Sequence, residues 1–400
     1  MKTIKNYIYY FFIFILIILL VVGFLINKKS SASKKNEISN LVLELKIRND
    51  QLAKMQKNLF KDGYNINNII NQNKISFKKI TENKKLVDFN GYSLKNFKAN
   101  NNFFDNYSFS KYTTKDILFN GNLAATGTAF IDFYNEDKNI FLSTYDGIFA
   151  YSKLSNIEEF TKVKSNINQL ITYESFYLSD QYGIKDILID EKKLYVSYVG
   201  KKRNNCYDLK IISAEIDEKY LEFEIFYETS NCVDTNNEHG YWAQQGAGGR
   251  IFKFDNSSLL FTTGDFRNRP LAQKLDSEFG KILKIDIQTN KAEVVSLGHR
   301  NPQGLFYSKK YNFILSTEHG PKGGDEININ HQPFSKIKNF GWPMSSYGEH
   351  YKKNYSKKIL SEAPLKKSHK KYGFNEPIKY FVPSIGISQL VSISENDREF

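Results

Sequence analysis

The residues best suited to chemistry crowd into two short segments. One is Gly298-His299-Arg300-Asn301-Pro302-Gln303-Gly304; the other is Glu318-His319-Gly320-Pro321-Lys322-Gly323-Gly324-Asp325-Glu326-Ile327-Asn328. Glycine loses backbone entropy in a regular element, proline removes a backbone donor and asparagine favours turns, so neither segment reads as the interior of a helix or strand. Each reads as a loop that combines conformational punctuation with ionisable and amide side chains, which is what holds a polar ligand on a rigid scaffold. Singly, the same residues have plainer readings: Arg300 as an ion-pair partner, Asn301 and Asp325 as turn caps, Gly320-Pro321 as a turn.

Composition bounds the scaffold. The chain has 400 residues, 41% apolar and 15% aromatic, which excludes a disordered polymer and provides for one large all-β domain or two ordinary ones. A net charge of +13 raises the question of a polyanionic partner. Eighteen of the 56 basic and six of the 43 acidic residues lie in residues 1–100, leaving 38 against 37 for residues 101–400. The body is balanced, so nucleic acid is set aside as a partner. Cys206 and Cys232 fit no metal pattern, since zinc needs paired ligands at short separation. They are either a disulfide, if this region lies outside the cytoplasm, or two buried thiols.

Stepping from these residues to the elements that carry them, the N-terminus comes first. Tyr7 to Ile26 form an unbroken apolar run long enough to cross a bilayer, flanked by Lys2, Lys5, Lys28 and Lys29. It exceeds the apolar core of a cleaved signal peptide, so residues 1–28 are expected to be a retained transmembrane anchor. Ile38, Leu41, Leu45, Leu52, Met55 and Leu59 fall near heptad a and d positions, with Arg48 interrupting the seam. Residues 29–104 are therefore expected to be a short helical stalk and linker.

From about residue 105 the texture turns to short β-rich runs, and a repeat emerges. Segments 133–147, 189–200, 254–265 and 307–320 each hold a strand end, a polar turn and a second strand closing on Ser or Thr and then Gly. The second strands are expected to begin near Ile140, Leu194, Leu259 and Phe313. Several strands per unit at this period, with no helical pattern between them, predict an all-β propeller of four-stranded blades rather than a sandwich. A fifth copy opens at Ser388 and stops at Phe400 before its second strand, so the last blade is expected to be incomplete.

The motifs then make the pattern specific. The two site loops, together with Gly248-Gly249-Arg250, Thr263-Gly264-Asp265, the segment Ala272 to Asp286, the segment Asn339 to Pro343 and the segment Ser346 to Tyr351, resemble the glucose/sorbosone dehydrogenase family of pyrroloquinoline-quinone (PQQ)-dependent sugar dehydrogenases. The resemblance implies a six-bladed propeller over residues 105–400, with PQQ and calcium as cofactors and a sugar as substrate. It places Arg300 and Asn301 beside the reactive carbonyl of the quinone, where a cation and an amide donor would stabilise developing negative charge. It gives the backbone carbonyls of Gly320 and Pro321 to calcium and adds Asp325 of the same loop to that metal site, puts His319 of that loop on the cofactor, and matches Gln181 to a glutamine near cofactor and sugar.

One departure matters. The family's proton-accepting histidine stands four positions before the arginine of its His-x-x-Gly-Arg motif, and here that position is Gly246. General-base assistance is worth about 10²–10⁴ in rate, so the chain is expected either to use another group, with His239 the nearest in sequence, or to be a silent propeller that binds a carbohydrate or a protein. Because the family meets cofactor and sugar outside the cytoplasm, the resemblance implies an anchor in the inner membrane and a propeller in the periplasm. The electron acceptor and the sugar are not identified by the sequence.

Overall fold

The computed structural model describes residues 129–392, apart from 135, 137, 145–146, 148, 157–159, 172–182, 204, 236–245 and 352–354. The expected anchor and stalk, and the candidates Gln181 and His239, lie outside the described residues. The chain divides into units Met1–Asp62 and Gly63–Phe400, and every described element belongs to the second. Among the described residues no helix is long and apolar enough to cross a membrane.

Strands form where apolar runs are broken by carboxylate-nucleated turns. Asp255 Oδ1 accepts from Ser257 N at 2.9 Å and from Ser258 Oγ at 2.7 Å, and Asp286 Oδ1 accepts from Thr289 N at 2.7 Å. Such side-chain-to-backbone bonds reverse the chain without help from a partner strand. The result is four sheets and few helices. The first holds β1 (Ala129–Tyr134), β2 (Asn139–Thr144), β3 (Phe149–Lys153) and β4 (Thr161–Ser165), and the second holds β5 (Ile184–Asp190), β6 (Lys193–Arg203) and β7 (Cys206–Glu215). A later strand, β8 (Tyr220–Leu221), runs parallel to β4 and ties these two sheets, while β9 (Glu224–Glu228) and β10 (Val233–Asp234) both pair with β7.

The third sheet is β11 (Gly248–Asp255), β12 (Ser258–Thr263), β13 (Lys281–Asp286) and β14 (Ala292–Leu297). The fourth begins with β15 (Pro302–Ser308), β16 (Phe313–Glu318) and β17 (Asp325–His331). Strand β18 (Lys338–Asn339) returns to run parallel to β14, and β19 (Lys379–Phe381) closes the fourth sheet on β17. The second strands expected near Ile140, Leu194, Leu259 and Phe313 open at Asn139, Lys193, Ser258 and Phe313.

The sheets are stacked face to face, and the proof is in which residues share a core. Every residue of β12 is buried. Leu259 and Phe261 pack with Tyr195, Leu209 and Phe226 of the second sheet, whereas Leu260 packs with Leu305 and Ile314 of the fourth. Alternate side chains of a strand point to opposite faces, so β12 is clamped between two neighbouring sheets. Each such side chain contributes about 1.5–3 kcal/mol by leaving water. The first strands β1, β5, β11 and β15 lie side by side in chain order. This blade-like arrangement matches the propeller expectation. The described part of the fifth copy, up to Ser392, forms no strand; it passes beside β16, where Ser388 O accepts from Thr317 Oγ1.

Cys206 and Cys232 form a disulfide, which settles the alternative left open by spacing. It pins the segment entering β10 to the start of β7, and so fixes the base of the connection that leads to Gly246. Closing a loop of this size removes unfolded-chain entropy worth roughly 3–4 kcal/mol. Reduction, or Cys206→Ser with Cys232→Ser, is expected to lower the melting temperature on the order of 10 °C; calorimetry with and without reductant checks this.

Candidate functional site

The site is built on the loops that join β14 to β15 and β16 to β17. Its central brace is Glu318, the last residue of β16. Glu318 Oε2 accepts from Arg300 N at 2.6 Å, and Oε1 accepts from Asn328 Nδ2 at 2.7 Å and lies 3.1 Å from His299 Nδ1. Burial alone would raise this carboxyl, but His299 and the Arg300 amide hold it below the usual range. His299 Nε2 in turn lies 2.8 Å from Ser296 Oγ. Serine, histidine and glutamate thus meet in the order of a hydrolase triad, yet Ser296 and His299 are fully buried, so no substrate reaches the hydroxyl. The trio braces the loop.

Arg300 is aimed by three further contacts. Its Nη1 donates to His319 O at 2.8 Å, its guanidinium lies 5.5 Å from the centre of the Trp342 ring, and its carbonyl accepts from Asp265 N at 3.0 Å. Trp342 is held by Asp265, whose Oδ2 accepts from Trp342 Nε1 at 2.7 Å. Burial pushes Asp265 up, against the pull of Arg300. Gly264, just before it, has to be glycine, because a Cβ there would collide with the backbone of Gly246.

His319 is positioned by a chain across three first strands. Arg250 Nη1 donates to Asp186 Oδ1 at 2.6 Å and Arg250 Nε to Gln303 O at 2.6 Å, while Gln303 Oε1 lies 3.0 Å from His319 Nε2. Each of β5, β11 and β15 carries a bulge at its site end, between Ile184 and Asp186, Gly248 and Ile251, and Pro302 and Gly304. Bulges re-aim side chains, and here they turn this set into one network. Burial, aided by Arg300, lowers the pKa of His319.

The sequence reading assigned Asp325 to the metal site; in the structure its carboxylate is engaged by backbone donors. Its Oδ1 accepts from Gly320 N at 3.0 Å, and Oδ2 accepts from the amides of Ile385, Gly386 and Ile387 at 3.0, 2.8 and 3.3 Å. With four backbone donors taken, this carboxylate supports the turn and fastens residues 385–387. The carbonyls of Gly320 and Pro321 accept no backbone hydrogen bond among the described residues. A Cβ at Gly320 would collide with Gly324 O, so the turn is closed upon itself. Asn301 is also committed, its Oδ1 accepting from Gly248 N at 3.0 Å and joining the site ends of β11 and β15.

Arg300, His319 and Gly320 come together, with Glu318, Glu326, Trp342 and Ser346, around a shallow cleft with about 10 Å³ of interior space, room for about one water. Among the described residues, no group of three or more His, Cys, Asp or Glu side chains forms a metal cluster. Sequence reasoning gave no role to Glu318, His299, Asp265 or Trp342. All four stand inside the motifs it singled out, but their partners lie in other loops. A second buried pair, His369 Nε2 and Glu326 Oε1, lies 3.1 Å apart beside the cleft. Glu326 is the cross-strand partner of Glu318, and burial raises its pKa despite His369.

With this geometry in hand, comparison with known proteins is informative. The Glucose / Sorbosone dehydrogenase family matches over residues 141–399. The aldose sugar dehydrogenase YliI of Escherichia coli (strain K12) is 36% identical over 231 residues, 52% of this chain and 57% of that protein. The chain thus spans a little over half the length of this relative. Among solved structures, a glucose dehydrogenase aligns with a TM-score of 0.52 and 22% identity over 65% of this chain and 74% of its own. The apo-form of the soluble aldose sugar dehydrogenase from Escherichia coli aligns with a TM-score of 0.51 and 20% identity, over 65% and 73%. At that identity the structural likeness speaks for the fold.

The Asp325 brace predicts an acid limb. Burial opposes its ionisation, but the Ser384 side chain and the amides of Gly320, Ile387 and Gly386 outweigh that and hold the carboxyl below its ordinary value. Its stabilisation is therefore complete above the unfolded pKa of about 3.9 and lost as pH falls through the lower folded value. Asp325→Asn is expected to cost about 1–3 kcal/mol at pH 7 and to flatten the acid limb, as read from melting temperature against pH.

Proposed function

The chain belongs to the glucose/sorbosone dehydrogenase family, and from that premise we propose a membrane-anchored quinoprotein that oxidises an aldose-type sugar with PQQ and calcium. The observation that carries this reading is the placement of Arg300 beside Gly320, which opens the Gly320-Pro321 turn whose two carbonyls accept no backbone hydrogen bond among the described residues. Carbonyl oxygens suit a hard cation such as calcium, and Pro321 is buried, so its carbonyl gains from such a partner. A bound quinone would supply the two-electron acceptor that no side chain here provides. Arg300, fixed by Glu318, His319 O and Trp342, would face the negative charge that develops during oxidation and need no reorganisation to do so.

The proposal includes residues 105–400 as a six-bladed ring to which the four described sheets contribute, residues 1–28 as an inner-membrane anchor and residues 29–104 as stalk and linker. It orients the propeller toward the periplasm. The Cys206–Cys232 bond supports that side of the membrane, since disulfides persist in oxidising compartments. The final electron acceptor stays outside the proposal.

Gly246 favours a second reading, a propeller that binds carbohydrate or a protein partner without turnover. Its backbone is not in a left-handed conformation, and a Cβ there would meet nothing nearer than Asp265 Oδ1 at 3.6 Å. The position therefore admits a Cβ in ordinary contact. His239 as a substitute base stays part of the first reading.

Two measurements decide. Titration of the full chain with PQQ and calcium is expected to raise the melting temperature saturably, by the equivalent of about 2.7 kcal/mol at a hundredfold excess over Kd. A cooperative melt indifferent to the quinone would sink the quinoprotein reading. In addition, Gly246→His is expected to fold and to raise sugar-dependent dye reduction by about 10²–10⁴ over the native chain. A folded, quinone-binding variant with no gain would leave the silent propeller standing.

A further inference from the structure

The charge balance of residues 101–400 conceals a local excess. Residues 351–372 carry eight of the 38 basic residues of that body and one of its 37 acidic ones, so the remainder is net acidic, at 30 against 36. Six of the eight lie among the described residues, Lys357, Lys358, Lys366, Lys367, Lys370 and Lys371, and every one is exposed. Five of them, all but Lys358, form no ion pair among the described residues. The bordering acids, Glu349, Glu362 and Glu376, are too few to neutralise the face, and Glu376 already accepts from the Tyr347 hydroxyl and from Lys370 N.

These lysines are fixed beside the cleft. Ser345 Oγ and Ser346 N donate to Lys366 O at 2.9 and 3.1 Å, and Lys366 N donates to Met344 O at 3.0 Å. Ala363 and Leu365 share a buried cluster with Trp342, and Lys367 Nζ donates to the carbonyls of Tyr347 and Gly348 at 2.7 and 2.6 Å. Trp342, Ser345 and Ser346 also line the cleft, so basic face and cleft are built on the same turn. Holding like charges together costs self-repulsion, and it creates a field that steers an acidic partner toward that spot. Tyr351 and Tyr372 stand exposed among the lysines, and the Lys366 ammonium lies 4.6 Å from the centre of the Tyr372 ring. Tyrosine is enriched in protein interfaces and lysine is depleted from their tight cores, so this mixture suits a weak encounter guided by charge.

We propose that the lysine face of residues 357–371 docks an acidic, one-electron redox protein, which takes up the electrons of sugar oxidation beside the cleft. The source of the electrons rests on the quinoprotein reading, whereas the sign of the partner rests on the lysines alone. Oxidation of one sugar CH–OH to C=O releases two electrons and two protons; two successive encounters remove the electrons, and the protons pass to water. A nucleic acid or an anionic membrane would meet the same charge, but neither gains from a place at the cleft.

The test uses the full chain and two probes with the same haem: cytochrome c, whose surface is basic, and succinylated cytochrome c, whose lysines are converted to carboxylates. At about 0.01 M salt, where the Debye length is about 30 Å, the succinylated probe is expected to bind at least about tenfold more tightly, and the preference to vanish near 1 M, where that length is about 3 Å. Lys366→Glu with Lys370→Glu and Lys371→Glu is expected to remove at least about tenfold of that affinity. Lys219→Glu with Lys291→Glu and Lys309→Glu, the same change in net charge at exposed positions elsewhere, is expected to leave most of it. With PQQ and calcium bound, the first triple variant is expected to slow sugar-dependent reduction of the succinylated probe by about tenfold and to leave reduction of a small neutral dye unchanged. A cooperative melt of each variant separates lost docking from misfolding. Equal binding of the two probes, or an equal loss in the two triple variants, overturns the docking face while leaving the quinoprotein reading intact. Tighter binding to phosphatidylglycerol vesicles or to duplex DNA than to the succinylated probe, at the same salt, overturns the protein partner. Probe reduction that ignores the first triple variant overturns the acceptor role. A chain that ignores PQQ yet binds the succinylated probe through these lysines keeps the docking face and loses its redox role together with the quinoprotein reading.

Discussion

The site depends on one buried carboxylate. Glu318 ends β16 inside the protein, where an unpaired charge would be prohibitive, and it is tolerated because each oxygen is occupied. Its partners come from two places: His299 and Arg300 from the loop before β15, and Asn328 from β17. Satisfying Glu318 therefore fixes the relative positions of two loops, and Arg300 inherits its placement from that constraint. Removing the carboxylate would leave a buried histidine, a buried amide and a backbone N–H without an acceptor at once, each a loss of about 1–3 kcal/mol.

The sheets make such a constraint possible. A strand like β12 sends Leu259 and Phe261 into one inter-sheet core and Leu260 into the next, so neighbouring sheets cannot slide without breaking both. The stacking brings the site ends of β5, β11 and β15 together, and the bulges there convert three regular strands into a polar network running from Asp186 through Arg250 and Gln303 to His319. Rigid apolar layers beneath and irregular polar loops above are two parts of one arrangement, since loops carrying buried charge need a scaffold that does not yield.

The same scaffold accounts for a tension in the functional reading. The groups that would orient a cofactor are braced from several sides, whereas the position of the family's base is the buried Gly246, which carries no side chain. Orientation and proton transfer are separate demands on a site, and only the first is written into the described residues. Binding and turnover thus stand as separate questions for this chain.

Much of this was legible in the sequence because it is local. Short β-rich runs repeated around polar turns located the four hairpins, and the clustering of Gly, Pro, Arg and Asn located the two site loops, since turn chemistry and strand-forming composition act over a few residues. Tertiary structure decided everything that depends on a distant partner. Nothing near Asp325 in sequence announces that residues 385–387 are fastened by its second oxygen, and Asp265 and Trp342, 77 residues apart, meet only because the third sheet and the loop after β18 converge. The cysteine pair was open on spacing alone and was closed by β10 docking on β7. The physical reason is the same in each case: a carboxylate or thiol carries no mark of its partner, and which group satisfies it is set by the packing of layers that the local sequence does not specify.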